Sequence, residues 1–172
     1  MKKILSIILL SIFLVGCGSQ TGEVVPSEQP KENIVKVGDT IKTATKEIKI
    51  NKVEFANKVE GDVDGFQYFD AKDGNILIHI DADVKNIGET ETMVDKVASV
   101  GAKYDSKYSY EGYSVAEDKQ AGLNYSNIVA IEPLSTLGVR YLVDVPKEVE
   151  KSSKPLNVIL NVDGGEYIIK VR

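Results

Sequence analysis

The chain has 172 residues, enough for one domain with extensions, and 42% apolar against 27% charged residues is the balance of a globular protein rather than a disordered one. The formal net charge is −5, and only Arg140 and Arg172 supplement the lysines, so nonspecific nucleic-acid binding, which needs clustered Lys and Arg on phosphates, is not expected. A single cysteine, Cys17, excludes an internal disulfide, so the stability of an exported domain here has to come from burial.

Met1-Lys2-Lys3 is a short positive start, followed by 13 nearly uninterrupted apolar residues from Ile4 to Gly16. A bilayer-spanning helix needs about 20 such residues, whereas the apolar region of a signal peptide needs about 7 to 15. The run therefore reads as a signal peptide over residues 1–16. Its end, Leu14-Val15-Gly16-Cys17, resembles the lipobox of bacterial lipoproteins. That resemblance implies diacylglycerol transfer to the Cys17 thiol, cleavage before Cys17, and a domain held on the extracytoplasmic face of the cell membrane. Small Gly16 suits a cleavage site, and Cys17 is the strong nucleophile beside it. Two or more acyl chains hold stably because each buried methylene contributes ~0.8 kcal/mol. Removal of Lys2 and Lys3 with the signal takes the net charge from −5 to −7. The alternative is an ordinary secretion signal followed by a structural cysteine.

Gly18 to Asn33 contains two prolines and many small polar residues, a composition that buries too little to order itself. Residues 17–33 are expected to form a lipidated tether, with a typical end-to-end distance of ~20 to 24 Å. The domain proper is expected over residues 34–172. Ile34 to Val37 reads as a short strand at its start. Glu47 to Lys58 alternates, but the parity changes between Ile50 and Val53, which predicts a bulge. Ile76, Ile78, Ile80, Ala82 and Val84 share one face of a strand, with Leu77, His79, Asp81, Asp83 and Lys85 on the other. Met93 to Tyr104 and Tyr125 to Ile131 are weaker strands, and Asp105 to Asn124 reads as a long loop between them. Val139 to Val145 alternates up to Pro146, and one helical turn fits Lys147 to Ser152. Leu156 to Val162 and Gly165 to Val171 flank Asp163-Gly164, a hairpin signal. About seven short strands without βαβ spacing predict an all-β, immunoglobulin-like antiparallel β-sandwich.

Val37-Gly38-Asp39-Thr40, the strand end Val84-Lys85-Asn86-Ile87-Gly88, Ile131-Glu132-Pro133-Leu134-Ser135 and Leu142-Val143-Asp144-Val145-Pro146-Lys147 occur in an order that resembles the telokin-like, immunoprotective-extracellular-type domains of Gram-positive surface proteins. The resemblance covers about residues 35–172. It implies an immunoglobulin-like sandwich at the cell surface and carries no settled activity. The chain departs from the pattern where Leu134-Ser135 replaces the usual glycine after the proline, which puts the geometry of that turn in question.

Nucleophilic hydrolysis would have to use His79, the one histidine, and no Gly-x-Ser-x-Gly accompanies it. With Cys17 lipidated, a zinc centre lacks ligands. No catalytic residue and no cofactor is therefore expected. Calcium needs only oxygens, and Asp62, Asp64, Asp70 and Asp73 are candidate ligands. Their spacing does not fit an EF-hand, and Asp with Gly is also ordinary turn chemistry. Asp81 and Asp83 read as a solvated face that could line such a site. Tyr104, Tyr108, Tyr110, Tyr113 and Tyr125 form the densest aromatic stretch, and tyrosine, with apolar area and a polar tip, suits interfaces. The expectation is a non-enzymatic, membrane-anchored lipoprotein that binds a protein or glycan partner through these tyrosines. The alternative is a calcium-responsive accessory or sensor domain using the acids.

Overall fold

The computed structural model describes residues 32–61, 68–118 and 122–172. Cys17, most of the tether, Asp62 and Asp64 lie outside the described residues. The described residues form fourteen strands: β1 (Asn33–Val35), β2 (Thr40–Lys42), β3 (Lys46–Ala56), β4 (Lys58–Glu60), β5 (Tyr68–Asp70), β6 (Asn75–Asn86), β7 (Thr92–Met93), β8 (Ser99–Tyr104), β9 (Tyr108–Asp118), β10 (Gly122–Tyr125), β11 (Ala130–Ile131), β12 (Thr136–Pro146), β13 (Leu156–Val162) and β14 (Gly165–Lys170). One α-helix, α1 (Lys147–Lys151), follows β12.

The strands form a β-sandwich. One sheet runs β1-β14-β13-β8-β9 and the other β9-β12-β6-β3-β2, with β10 added beside β9. Strand β9 belongs to both. Its first residues pair with β8, as in Glu111 opposite Gly101, and from Gly112 onward it pairs with β12, as in Gly112 opposite Val143. The first strand, β1, lies parallel to the last, β14. All other pairings are antiparallel.

The inward residues follow the alternation in the sequence. Ile76, Ile78, Ile80, Ala82 and Val84 of β6 meet Val139, Tyr141, Val143 and Val145 of β12 and, across the sandwich, Leu156, Val158, Leu160 and Val162 of β13 in one core. Burying a side chain of this size stabilises by about 1.5–3 kcal/mol before entropy is counted. The bulge in β3 falls between Ile50 and Lys52, and the extra residue, Asn51, donates through Nδ2 to Asp83 at 3.0 Å. Asp163 and Gly164 both take positive φ, the backbone of a tight hairpin turn.

Three expectations are corrected. Asp105 to Asn124 is not a long loop: Asp105 and Ser106 both take positive φ, Lys107 donates back to Tyr104 O, and β8 returns at once as β9. Asp tolerates this backbone, but without glycine the turn gives no sequence signal. Asp70, for which turn chemistry is the ordinary reading, is instead a strand residue opposite Lys58 in a hairpin of β4 with β5. Asn33, assigned to the tether, is the first residue of β1.

The Val-Lys-Asn-x-Gly element has a structural cause. Asn86 is only 1% exposed. Its Nδ2 donates to Thr90 O and Ile131 O, both at 2.8 Å, and its Oδ1 accepts from Gly88 N at 2.9 Å. Its backbone carbonyl accepts from Leu134 N. The Glu132–Ser135 turn is closed by Ser135 N on Glu132 O at 3.1 Å, with Pro133 second and Leu134 third at φ +63°. That third position of a type II turn normally takes glycine. Leu134 therefore keeps the glycine geometry, while its side chain remains 76% exposed. Holding a non-glycine residue there costs about 1–2 kcal/mol, and glycine adds back about 0.5–1 kcal/mol of unfolded-state entropy. Leu134→Gly should thus raise stability by about 0.5–1 kcal/mol in urea unfolding. A loss instead would mean that Leu134 packs in a way its exposure conceals.

Candidate functional site

The outer face of the sheet containing β12 and β6 gathers the side chains with chemistry. Register places Tyr113, Leu142, His79 and Glu54 in one row across β9, β12, β6 and β3. The neighbouring row carries Val115, Arg140, Asp81 and Lys52. The β4–β5 hairpin and β10 cover part of this face. Val59 and Leu123 pack with Leu77, Val115 and Leu142 in a second, smaller apolar cluster, which Phe69 and Ala71 join at its margin.

The aromatic groups stand at the edge of that cluster. Phe69 lies 6.0 Å from Tyr113, tilted by 51°, and 6.0 Å from Tyr125, edge-on at 89°. Both are favourable ring arrangements. Tyr113 is 42% exposed, Tyr125 57% and Tyr68 53%, the last with Lys58 Nζ 4.0 Å above its ring. Burial, helped by the Asp144 carboxylate, holds the Tyr113 hydroxyl above its ordinary pKa, so Tyr113 remains a hydrogen-bond donor at neutral pH.

The five tyrosines expected to act together separate into two groups. Tyr113 and Tyr125 share the face just described. Tyr104 and Tyr108 stack on each other at 6.0 Å on the other sheet, where Tyr104 is buried and donates to Ser152 Oγ at 2.7 Å. Tyr110 packs against the main core, and burial raises its pKa, with Glu148 adding to the effect. The corner at Gly112 causes the split, since Tyr108 and Tyr110 precede it and Tyr113 follows.

Beside the aromatic edge lies a polar network. Arg140, nearly buried, forms ion pairs with Asp81 on one side and Glu117 on the other. Asn51 also donates to Asp81, at 3.4 Å. His79 is buried, and its Nδ1 lies 3.2 Å from Glu54 Oε1. A carboxylate only accepts, so Nδ1 carries the proton and Nε2 presents its lone pair, buried and without a partner. Burial lowers the His79 pKa, and the hydrogen bond to Glu54 only partly offsets this.

Among the described residues, the acids expected as calcium ligands stand apart. Asp73 sits in the turn that Asn75 N closes on Lys72 O, with Gly74 at positive φ. Asp70 faces Lys58 across the hairpin, while Asp81 and Asp83 are held by Arg140 and Asn51. No three metal-ligating side chains converge among the described residues. Sequence reasoning missed Phe69, which joins Tyr113 to Tyr125, and its neighbour Tyr68. Their signal was the Tyr68-Phe69 pair itself, set among Asp and Gly residues that read as a turn.

No protein-family model and no curated protein sequence matches the chain. Among solved structures, an uncharacterized beta-sandwich protein from Clostridium difficile 630 is similar at 34% identity, over 84% of this chain and 97% of its own, with a TM-score of 0.79. A conserved hypothetical protein from Bacillus anthracis shares the fold at 16% identity, over 83% of this chain and 96% of its own, with a TM-score of 0.53. Residues Glu32–Arg172 form one compact unit, and the match takes in nearly all of the Clostridium difficile chain.

Proposed function

The chain belongs to the family of the Clostridium difficile β-sandwich protein, and we propose that it is a non-enzymatic envelope lipoprotein, anchored through lipid on Cys17, whose sandwich is a telokin-like immunoglobulin-type domain that binds a partner. The anchor reading is supported by the lipobox-like Leu14-Val15-Gly16-Cys17 at the end of a run too short to span a bilayer. The binding reading is carried by one observation: Phe69 brings exposed Tyr113 and Tyr125 together from two other strands, with exposed Tyr68 adjacent in sequence. Exposed aromatic side chains gathered in one place, beside a polar network, resemble the composition of a recognition surface.

Deleting the tyrosine stretch is not a usable test, because β9 and β10 carry core residues Val115, Ala116 and Leu123. A photo-crosslinking residue at Tyr125 of the anchored protein should instead yield one dominant adduct in cells. Tyr68→Ser with Tyr113→Ser should abolish that adduct while leaving the fold intact by circular dichroism. A crosslinker at Asn157, on the opposite sheet, serves as the control. An adduct pattern at Tyr125 no different from that at Asn157 would refute the assignment, and the chemistry of the adduct decides between protein and glycan.

A further inference from the structure

A groove opens at the sandwich edge where β1 and β14 of one sheet approach β3 of the other. It measures about 330 Å³ and is lined by Ile34, Val35, Val37, Val53, Ile169 and Val171, together with Lys36 and Lys170. That volume is within the range of small-molecule sites, ~300–1,000 Å³. Val35 and Ile169 belong to the main core and Val53 and Val171 pack against it, so the groove is a place where the core reaches the surface. Ile34 and Val37 at its mouth remain exposed.

The two charged residues that line the groove, Lys36 and Lys170, are both basic in a chain of net negative charge. No acidic side chain among the described residues lies within ion-pair distance of Lys36 Nζ. The nearby Asp39 turns its carboxylate to the backbone N–H of Lys36 at 2.9 Å. Lys170 contacts Glu32 at 3.3 Å, but both side chains are mostly exposed, and such a pair is easily exchanged for another anion. Aliphatic walls with two ammonium groups above them match an amphiphile that has one hydrocarbon chain and an anionic head.

We infer that this groove takes an acyl chain of an anionic membrane lipid, with Lys36 and Lys170 on the headgroup. The position in the chain identifies the source. The groove is bounded by the first strand, and Asn33 is 16 residues from Cys17. On the anchoring proposed above, 16 fully extended residues span at most ~53–58 Å, which bounds how far Asn33 and the groove beside it can stand from the anchored cysteine. The inference rests on the proposed anchoring for where the lipid comes from, and not for the chemistry of the groove.

The chain contains no tryptophan. Val37→Trp in residues Glu32–Arg172 therefore places a single indole at the mouth of the groove, and Ile34→Trp supplies a second reporter should the first perturb folding. Ile128→Trp places one on an exposed turn outside the lining. Each is mixed with vesicles of phosphatidylglycerol carrying brominated acyl chains, and separately with brominated phosphatidylcholine vesicles. Val37→Trp is expected to lose most of its emission with phosphatidylglycerol, while Ile128→Trp keeps its own. Lys36→Glu with Lys170→Glu should remove the quenching without changing the circular dichroism spectrum. No quenching at either groove reporter, equal quenching at Ile128→Trp, or equal quenching by phosphatidylcholine each overturns the inference. Acyl labelling of Cys17 in cells tests the anchor separately, because the vesicle experiment uses protein without lipid.

Discussion

Asn86→Asp should lower the unfolding free energy of residues Glu32–Arg172 by about 4 kcal/mol, and Asn86→Ala by about 3 kcal/mol, in equilibrium urea unfolding at neutral pH. The side chain is buried and uses both faces of its amide. Alanine removes three hydrogen bonds, leaving Ile131 O without its partner in the buried interior and Thr90 O and Gly88 N without theirs at its partly exposed margin. Each buried group left unsatisfied costs about 1–3 kcal/mol. Aspartate keeps the acceptor for Gly88 N but turns a carboxylate oxygen toward two carbonyl oxygens that now stand 2.8 Å from a donor. Protonation restores one donor. The introduced acid therefore has a raised folded pKa, and its deficit relative to alanine narrows as pH falls. A loss below about 1 kcal/mol for Asn86→Ala would show that the loop holds itself together without the amide.

Gly112→Ala is the second large effect, expected at about 3 kcal/mol in the same measurement. A methyl group at Gly112 would stand 2.5 Å from Leu142 O, 2.7 Å from Val143 Cγ2 and 2.8 Å from Val100 Cγ1. The first is backbone in the middle of a sheet and cannot rotate away. The other two belong to opposite sheets, so relief toward one worsens the contact with the other. Gly101→Ala is the comparison, since its methyl group would meet one atom, Tyr110 O at 2.9 Å, and the expected loss is smaller, about 1 kcal/mol. Similar losses at the two positions would mean that the corner yields more readily than its contacts imply.

Strand placement was legible wherever one face is buried. The alternation along β6, β12, β13 and β14, the bulge in β3 and the Asp163-Gly164 hairpin all follow from residue order, because a shift of one residue would exchange core for surface. The misses share a physical origin. The turn at Asp105-Ser106 uses residues that tolerate positive φ without advertising it, so β9 was hidden inside an apparent loop. The β4–β5 hairpin is short, and its residues pack on the outside of a sheet rather than in the main core, so no long alternation marks it. The aromatic site was half legible. Tyr113 and Tyr125 stand out in the sequence, but their partner Phe69 is more than forty residues away, and only sheet register brings it to them. His79 was placed on the correct face, yet that face is covered, which the sequence of β6 cannot show.

The parallel pairing of β1 with β14 sets the order in which this domain can be completed. Asn33 meets Tyr167, and Asn33 Nδ2 donates to Glu166 O across a separation of 133 residues. Synthesis from the N-terminus presents Asn33–Val35 early, but the edge that receives this strand is not finished until nearly the last residue has followed. Closing so long a loop is slow compared with forming the hairpins between. The segment that joins the domain to whatever precedes it is thus the last to be fastened, and a chain shortened by a few residues at its C-terminus would lose its hold on its own beginning.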